Sequence, residues 1–333
     1  MKKIILFILM LTFVSPAFAE KVAALQEINK PWTFFVDQDR FYISETVSVY
    51  IYSLKDFKLI KKFGRRGEGP GEFTVVNKIG VNIQPDYDKI QVTDAVKAAF
   101  FTKSGKLIKE LKGNIEGSNF LYVGNNFVGR GWASEGKKEF RTINIYDSNF
   151  KKLREIFRRE FFSSPPAKYI VRFKDNLFYY TGYDKIFITA DHDFIIWVFD
   201  SNGKLEYTIK RDYPLKKITK EDKADYHKSL KLRFTRYEEI KHKLRFTTYF
   251  PAIQRLIIRD KKVYAIMWET EKEDSECFIF DLNGKFLKKV FLPLKKEDRF
   301  HPYLYAISNG KLYQLFEDLD NEKWELHKRE LDL

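Results

Sequence analysis

The chain has 333 residues, 44% hydrophobic and 17% aromatic, so it can bury a sizeable core, and this composition excludes a disordered protein. Lys+Arg 60 against Asp+Glu 46 gives a net charge of +14, interspersed along the chain without a long basic block. The single cysteine, Cys277, excludes an internal disulfide, and its apolar surroundings predict an inert thiol in the core.

The first nineteen residues have the pattern of an export signal. Lys2 and Lys3 precede an apolar run over 4–14, and Ala17-Phe18-Ala19 is a small-x-small cleavage site. The alternative is an uncleaved membrane anchor, but the run is shorter than the ~20 residues that cross a bilayer. We expect a single domain over 20–333, periplasmic or secreted, with no transmembrane anchor after cleavage.

The excess of basic over acidic residues indicates which class of partner the protein binds. Cleavage removes only Lys2 and Lys3 and no acid, so most of the excess stays in the exported chain. Outside the cytoplasm a basic surface points to anionic polysaccharide, lipid head groups or an acidic protein, and not to nucleic acid. The alternative is a solvated basic surface with no ligand.

A short motif that begins a strand recurs along the chain. Leu59, Leu107, Leu153 and Leu205 each follow a lysine at a spacing of roughly 50 residues, the length of a propeller repeat. The next example is Phe286. Its distance from Leu205 exceeds the repeat length by most of another repeat, which indicates an insertion. The hairpins at 200–204 and 281–285 share Asp-x-Asn-Gly-Lys, and Asn-Gly predicts a turn with positive φ at both central positions.

The repeat predicts an all-β fold, a six-bladed β-propeller of four-stranded antiparallel blades. The last blade shows three strands, and residues 22–28 supply the fourth by pairing beside 324–328, which closes the ring. The predicted blades cover 31–63, 75–111, 119–156, 169–211 and 252–292, with the sixth starting near His301.

A helical insertion is predicted between blades four and five, over 214–250. Thr219 and Asp222 resemble a capping box with Asp in place of the usual Glu. Tyr226, Leu230 and Phe234 follow at helical spacing. We expect this stripe to pack on the blades; a partner-binding helix is the alternative.

A glycine-rich loop at 63–73 follows the first blade. Gly64 to Phe73 matches Gly-x-x-Gly-x-Gly-Pro-Gly-Glu-Phe, a motif of bacterial exported six-bladed β-propellers related to NHL-repeat proteins. The chain resembles this family over nearly all of its exported length, and Pro251-Ala252 resembles the family's blade start after a helical insertion. The resemblance implies the fold but no chemistry, since most members have no assigned activity.

Catalytic patterns are weak. The glycine loop lacks the Gly-Lys-Ser/Thr and the helix of a phosphate-binding loop, so we expect a rigid turn. His192 and His301 are the histidines to consider for a metal, and strand-end acids resemble the calcium ligands of propeller lactonases: Asp37, Asp94, Asp191 and Glu269. None forms a convincing ligand set, so we predict no metal, no cofactor and no catalytic residue.

These observations favour a non-enzymatic exported binding module whose ligand is anionic. The alternative is a metal-dependent hydrolase or lactonase with its site at the mouth of the channel. The candidate ligand-binding residues lie on the glycine loop and in the insertion, outside the repeating blades: Arg65, Arg66, Lys216, Lys217 and Lys220.

The signal pattern makes a direct prediction about the mature protein. Amino-terminal sequencing of the exported form should begin at Glu20, because cleavage follows Ala19. Recovery of the full-length chain in the inner membrane would contradict this prediction.

Overall fold

The computed structural model describes residues 19–74, 80–85, 89–94, 97–112, 117–161, 170–173, 177–190, 192–234, 236–268 and 274–331. These residues form strands for most of their length, with helices α1 (Lys220–Arg233) and α2 (Tyr237–Ile240) and a 3-10 turn at Lys241–Lys243. The strands are, in chain order, β1 (Glu20–Leu25), β2 (Thr33–Val36), β3 (Arg40–Glu45), β4 (Ser48–Ser53), β5 (Leu59–Phe63), β6 (Arg65–Arg66), β7 (Glu72–Phe73), β8 (Asn82–Pro85), β9 (Lys89–Thr93), β10 (Lys97–Thr102), β11 (Leu107–Lys112), β12 (Ser118–Val123), β13 (Asn126–Glu135), β14 (Lys138–Tyr146), β15 (Lys152–Phe161), β16 (Ile170–Arg172), β17 (Phe178–Gly182), β18 (Lys185–Thr189), β19 (Ile195–Asp200), β20 (Leu205–Lys210), β21 (Leu244–Phe246), β22 (Ile253–Arg259), β23 (Lys262–Met267), β24 (Ser275–Asp281), β25 (Phe286–Leu292), β26 (Lys296–Asp298), β27 (His301–Pro302), β28 (Tyr305–Ser308), β29 (Lys311–Asp318) and β30 (Lys323–Glu330).

Six four-stranded antiparallel sheets make the six blades of a propeller. Blades one to five are β2–β5, β8–β11, β12–β15, β17–β20 and β22–β25, and blade six is β28–β30 with β1. The predicted fold class is therefore confirmed. Three boundaries differ: blade two begins at Asn82 and not at residue 75, blade four begins at Phe178 and not near residue 169, and blade three extends to Phe161, because β13, β14 and β15 are longer than their counterparts.

The first strand completes the last blade, as the three-strand final repeat predicted. β1 pairs antiparallel with β30, with Glu20 opposite Lys328 and Leu25 opposite Trp324. The indole of Trp324 donates a hydrogen bond of 2.9 Å to the carbonyl of Asn29, which holds the chain after the strand. The paired segment is Glu20–Leu25, so it starts and ends earlier than the predicted 22–28.

The core is a ring of six apolar clusters, one at each junction between neighbouring blades. The middle strands of a blade are covered on both faces, so they are apolar at consecutive positions, as in β3 and β4. In blade one the rings of Phe41 and Tyr52 stack across these strands with centroids 4.7 Å apart. Every junction is therefore buried, with the largest cluster between blades four and five and the smallest between blades two and three.

The outer hairpins use a different turn from the one that Asn-Gly predicted. Gly203 and Gly284 have positive φ, 77° and 84°, but the asparagine before each does not. The register shifts next to each turn, so the glycine forms a bulge after a type I turn. The Asp200 carboxylate stabilises this shape by accepting the amides of Asn202 and Lys204 at 2.9 and 2.8 Å.

The strand order gives the ring two different faces. Connections from the outer strand of one blade to the inner strand of the next lie on one face, called here the insertion face. The tight turns from the inner strand to the second strand lie on the other, called here the turn face. The glycine loop and α1 are both connections of the first kind, so both lie on the insertion face, at junctions on opposite sides of the ring.

The insertion packs on the blades, as expected. Thr219 and Asp222 form the predicted capping box, with the Thr219 hydroxyl accepting from the Asp222 amide and the Asp222 carboxylate accepting from the Thr219 amide. Tyr226 is buried in an aromatic cluster with Phe250 and Phe300, whereas Phe234 is 43% exposed. Neither α1 nor α2 has the length and apolar character that crossing a bilayer requires.

Closure by β1 should be essential for stability. Deleting Glu20–Leu25 removes the backbone bonds to β30 and exposes the cluster between blades six and one, so the melting temperature should fall sharply. Leu25→Ala should destabilise the protein by ~2–5 kcal/mol, because Leu25 is buried in that cluster.

Leu232→Ala is the control for that experiment, because Leu232 is 79% exposed and should change stability little. A truncated protein that melts like the parent would show that β1 does not close the ring.

Candidate functional site

The central channel contains a cavity of about 870 Å³ lined by the inner strands of all six blades. This volume lies within the ~300–1,000 Å³ of typical ligand sites. The lining begins within the first four residues of each inner strand and continues to the turns that follow, including exposed Gln38 and Asn309. The cavity therefore reaches the turn face, away from the glycine loop and the helical insertion.

Arg255 of β22 is the basic group at the inner end of this cavity. Its guanidinium carbon lies 4.8 Å from the ring centre of Tyr305, on the neighbouring blade. Tyr180 lies on blade four. Burial raises its pKa to about 12, and the charge of Arg255 opposes that shift. Among the residues that the structure describes, no carboxylate forms an ion pair with Arg255.

Two neutral polar side chains of the channel lining are buried at their polar atoms, Gln84 and Tyr305. The Gln84 amide donates to the hydroxyl of Thr181 at 3.2 Å, reaching from blade two to blade four across the channel. Its oxygen is buried and accepts no hydrogen bond within the described part of the chain, whereas the buried hydroxyl of Tyr305 interacts with Arg255. Because both atoms have almost no accessible surface, they belong to the packed wall of the channel and not to its open space.

At the turn face the acidic side chains of the lining are already engaged. Asp37 pairs with Lys103, Asp184 accepts the amide of Gly124 at 3.2 Å, and Asp260 accepts the amide of Gly310 at 3.2 Å. Lys89 and Arg259 add positive charge to the same lining. The aspartates therefore hold neighbouring turns together, and the lining carries as many acidic as basic side chains.

The glycine loop is held by a buried ion pair that the sequence did not reveal. Lys97 and Glu110 of blade two are 2.9 Å apart, with side chains 3% and 10% exposed. Lys97 also donates to the Gly69 carbonyl at 3.1 Å, and Glu110 accepts the Gly71 amide at 2.7 Å. The loop is thus a fixed turn, as expected.

The predicted ligand-binding residues on this loop are exposed. Arg65 pairs with Glu72 at 2.7 Å and is 81% exposed, and Arg66 is exposed beside it. Lys217 and Lys220 are exposed on the opposite side of the ring, while Lys216 is partly buried and its carbonyl accepts the Phe250 amide at 2.9 Å. The structure therefore splits the five residues into two distant groups on the insertion face, and none of them lines the cavity.

The metal-site candidates do not converge. Asp37 lies at a turn after an inner strand, whereas Asp94 follows β9 on the insertion face, where it accepts the amides of Thr74 and Lys97 at 2.9 Å. Asp191 and Glu269 lie outside the described residues. His192 lies in a turn of blade four, and within the described ranges no three His, Cys, Asp or Glu side chains are grouped to hold a metal ion.

Ser229, Asp298 and His301 come together under α1, but not as a hydrolytic triad. The Ser229 hydroxyl donates to Asp298 at 2.7 Å and lies 3.2 Å from His301 Nδ1. Asp298 contacts that same nitrogen at 2.8 Å. A triad needs serine and aspartate on different nitrogens of the histidine. This cluster therefore anchors the helix.

The charge of Asp298 strengthens that anchor. Burial alone would raise its pKa, but hydrogen bonds from His301 and Ser229 hold the pKa of the Asp298 carboxyl well below its usual range. Arg233 of α1 adds an ion pair at 3.2 Å.

The lone thiol behaves as its apolar surroundings predicted. Cys277 is completely buried in β24, and this burial raises the pKa of the thiol. A buried thiol that stays protonated is a poor nucleophile.

Sequence reasoning missed Arg255, Gln84, Tyr180 and Tyr305. The available signal was a pair of polar residues, Gln254 and Arg255, inside the apolar inner strand of blade five. That signal becomes specific only when the ring places the strand beside Tyr180 and Tyr305.

Comparisons with known proteins agree with this architecture. Residues 27–185 match the model of a family described as a 6-bladed beta-propeller, DUF5128. A protein of Bacteroides fragilis described as exported has a similar fold, with a TM-score of 0.57, 12% identity and 94% of each chain covered. A duf4221 family member from Bacteroides vulgatus has 13% identity and a TM-score of 0.48, over 94% of this chain and 97% of that one. No curated protein matches the sequence.

At this level of identity the likeness shows the fold alone. The predicted resemblance to exported six-bladed propellers is therefore supported for the fold.

The buried ion pair should matter far more than the exposed one on the same loop. Lys97→Met leaves Glu110 buried without its counter-ion and should cost ~3–5 kcal/mol in unfolding free energy. Arg65→Gln removes an exposed pair and should cost less than ~1 kcal/mol. Chemical denaturation measures both.

A double variant, Lys97→Met with Glu110→Gln, is the control, because it removes both charges and should recover part of the loss. Equal stability of Lys97→Met and Arg65→Gln would show that the buried pair does not hold the loop.

Proposed function

We propose that the protein is an exported, non-enzymatic binding propeller that holds an anionic ligand in its central channel. The chain acts as one domain over 20–333 after cleavage behind Ala19, in the periplasm or outside the cell. We also propose descent in common with NHL-repeat proteins, on the strength of the glycine-loop motif at Gly64 to Phe73.

The observation that carries this proposal is Arg255. A partly buried guanidinium in a cavity wall, with no carboxylate partner among the described residues, is best stabilised by a counter-ion. Its planar fork fits a carboxylate or phosphate oxygen pair. The Tyr180 hydroxyl stays protonated at neutral pH because burial raises its pKa to about 12, so it can donate to an anion.

The insertion face supplies a second, weaker contact in this proposal. Arg65 and Arg66 on one side and Lys216, Lys217 and Lys220 on the other add positive potential around that face. Such exposed charges suit an envelope partner that is anionic over a larger area, whether polysaccharide, lipid head group or protein. Their contribution should fall as salt rises, because exposed charges are screened over ~8–10 Å.

The hydrolase alternative gains no specific support. Ser229 gives its hydroxyl hydrogen bond to Asp298, so His301 is not placed to take its proton. The lactonase-like acids Asp37 and Asp94 lie on opposite faces of the ring. We therefore propose binding alone.

Arg255→Gln should weaken anion binding by the purified exported protein ~10–100-fold, because a charge-assisted contact is lost. Isothermal titration calorimetry with succinate, inorganic phosphate and D-galacturonate at low ionic strength measures the effect. Arg65→Gln with Arg66→Gln removes two charges from the insertion face and should leave channel binding nearly unchanged.

The proposal is wrong if none of the three anions binds, or if binding is the same in Arg255→Gln as in the parent. Loss of binding in the Arg65/Arg66 variant, with Arg255→Gln unaffected, would instead assign the anion to the insertion face.

A further inference from the structure

The outer strands of blades one to five share a local irregularity. Each follows a hairpin on the turn face, because the chain changes face with every strand of a blade. Shortly after that hairpin, the pairing with the third strand skips one residue. In blade one, Leu59 lies opposite Tyr52 and Lys61 opposite Ile51, so Ile60 is skipped. A bulge of this kind re-aims the side chain of the extra residue.

Four of the five skipped residues are aliphatic and exposed. The skipped residues are, in chain order, Ile60, Ile108, Leu153, Glu206 and Leu287. The aliphatic ones are between 44% and 54% exposed. Single exposed aliphatic side chains are ordinary on protein surfaces. Their recurrence at one structural position in four blades instead indicates a common role.

Basic side chains stand on both sides of these aliphatic residues along the strand. One basic residue lies two positions before each of them and another lies one position after: Lys58 and Lys61, Lys106 and Lys109, Lys151 and Arg154, Lys285 and Lys288. The hairpins at 53–62, 102–109 and 147–154 each carry more basic than acidic residues. Blade four differs, since its skipped residue Glu206 forms an ion pair with Lys185 and is followed by Tyr207.

The skipped residues of three consecutive blades form an arc on one side of the turn face, called here the aliphatic arc: Ile60, Ile108 and Leu153. Contacts between neighbouring hairpins hold this arc in place. Arg40 of blade one donates to the Lys103 carbonyl at 2.6 Å, and Lys109 of blade two donates to the Ser148 carbonyl at 3.4 Å. Blade four interrupts the pattern, and the outer strand of blade six is β1, which follows no such hairpin.

From this pattern we propose that the aliphatic arc docks the exported protein on an anionic lipid surface. The aliphatic side chains enter the interfacial layer of the bilayer, and the neighbouring lysines contact lipid phosphates. The core of a protein interface is depleted of charged residues, whereas each residue of the arc stands between two cations. Lysines that only protected the strand edges from aggregation would not need an aliphatic side chain between them.

This orientation leaves the channel accessible. Neither the arc nor the basic residues beside it line the cavity, so the inference does not depend on the channel ligand. Contact along blades one to three alone tilts the ring against the surface. The mouth of the channel then stays open on the side of blades four to six.

The test is co-sedimentation of the purified exported protein with vesicles of phosphatidylglycerol and phosphatidylethanolamine, compared with neutral vesicles of phosphatidylcholine. The parent should bind the anionic vesicles and dissociate as salt rises, because exposed charges are screened. Ile60→Ser with Ile108→Ser and Leu153→Ser should weaken binding ~10–100-fold, because the aliphatic contact is lost. Leu232→Ser, at an exposed leucine of α1, is the control and should bind like the parent.

Charge reversal tests the electrostatic contribution. Lys58→Glu with Lys106→Glu and Lys151→Glu should weaken binding at least ~100-fold, because each lysine near an anionic surface contributes about a 5-fold gain. Lys204→Glu makes the same change in the blade four hairpin, outside the arc, and should weaken binding less than Lys106→Glu alone. All of these side chains are exposed, so the variants should melt like the parent.

The outcomes distinguish three surfaces. Absence of binding to anionic vesicles at low salt, or full binding by the variant without the aliphatic arc, would overturn the proposal. Binding lost in Arg65→Glu with Arg66→Glu, but kept in both arc variants, would place the lipid contact on the insertion face. Polyglutamate bound through the arc, with vesicles unbound, would assign the arc to an acidic protein. The channel proposal is tested separately by Arg255→Gln in calorimetry.

Discussion

The backbone hydrogen bonds between β1 and β30 are the constraint on which the rest of the molecule depends. They join residues from the two ends of the described chain, so the ring closes only after every blade is present. Each blade is covered by its two neighbours, and the six apolar clusters between blades complete one another around the circle. An open ring would leave two apolar blade faces and two unpaired strand edges in water.

Closure also determines what the channel can do. Arg255, Tyr180 and Tyr305 come from three consecutive blades, and Gln84 comes from blade two. They line one cavity because the inner strands are held at a common axis. The buried Lys97–Glu110 pair and the aspartates at the turns serve this rigidity, since they tie loops and neighbouring turns to the blades. A pre-formed site loses little entropy when it binds.

Local sequence patterns predicted the starts of strands and of the helix, but not the type of turn in the outer hairpins. The Lys-Leu starts at Leu59, Leu107 and Leu205 mark the outer strands, and the capping box at Thr219 marks the start of α1. The Asn-Gly pairs marked hairpins correctly but suggested the wrong turn. The asparagine stays at negative φ because the Asp200 carboxylate binds the Asn202 and Lys204 amides, which favours a type I turn with a glycine bulge.

The sequence by itself determined the blade repeat, the four-stranded units, the closing strand and the helical insertion, because these follow from short-range periodicity and turn residues. Only the tertiary structure decided which polar side chains act together. Arg65, Arg66 and the insertion lysines stood out as charges in loops, yet the cavity lies toward the opposite face. Arg255 and Gln84 are ~170 residues apart in the chain, and no local pattern links them; the ring brings both into the lining of one cavity, where the loss of solvent makes an unpaired charge costly.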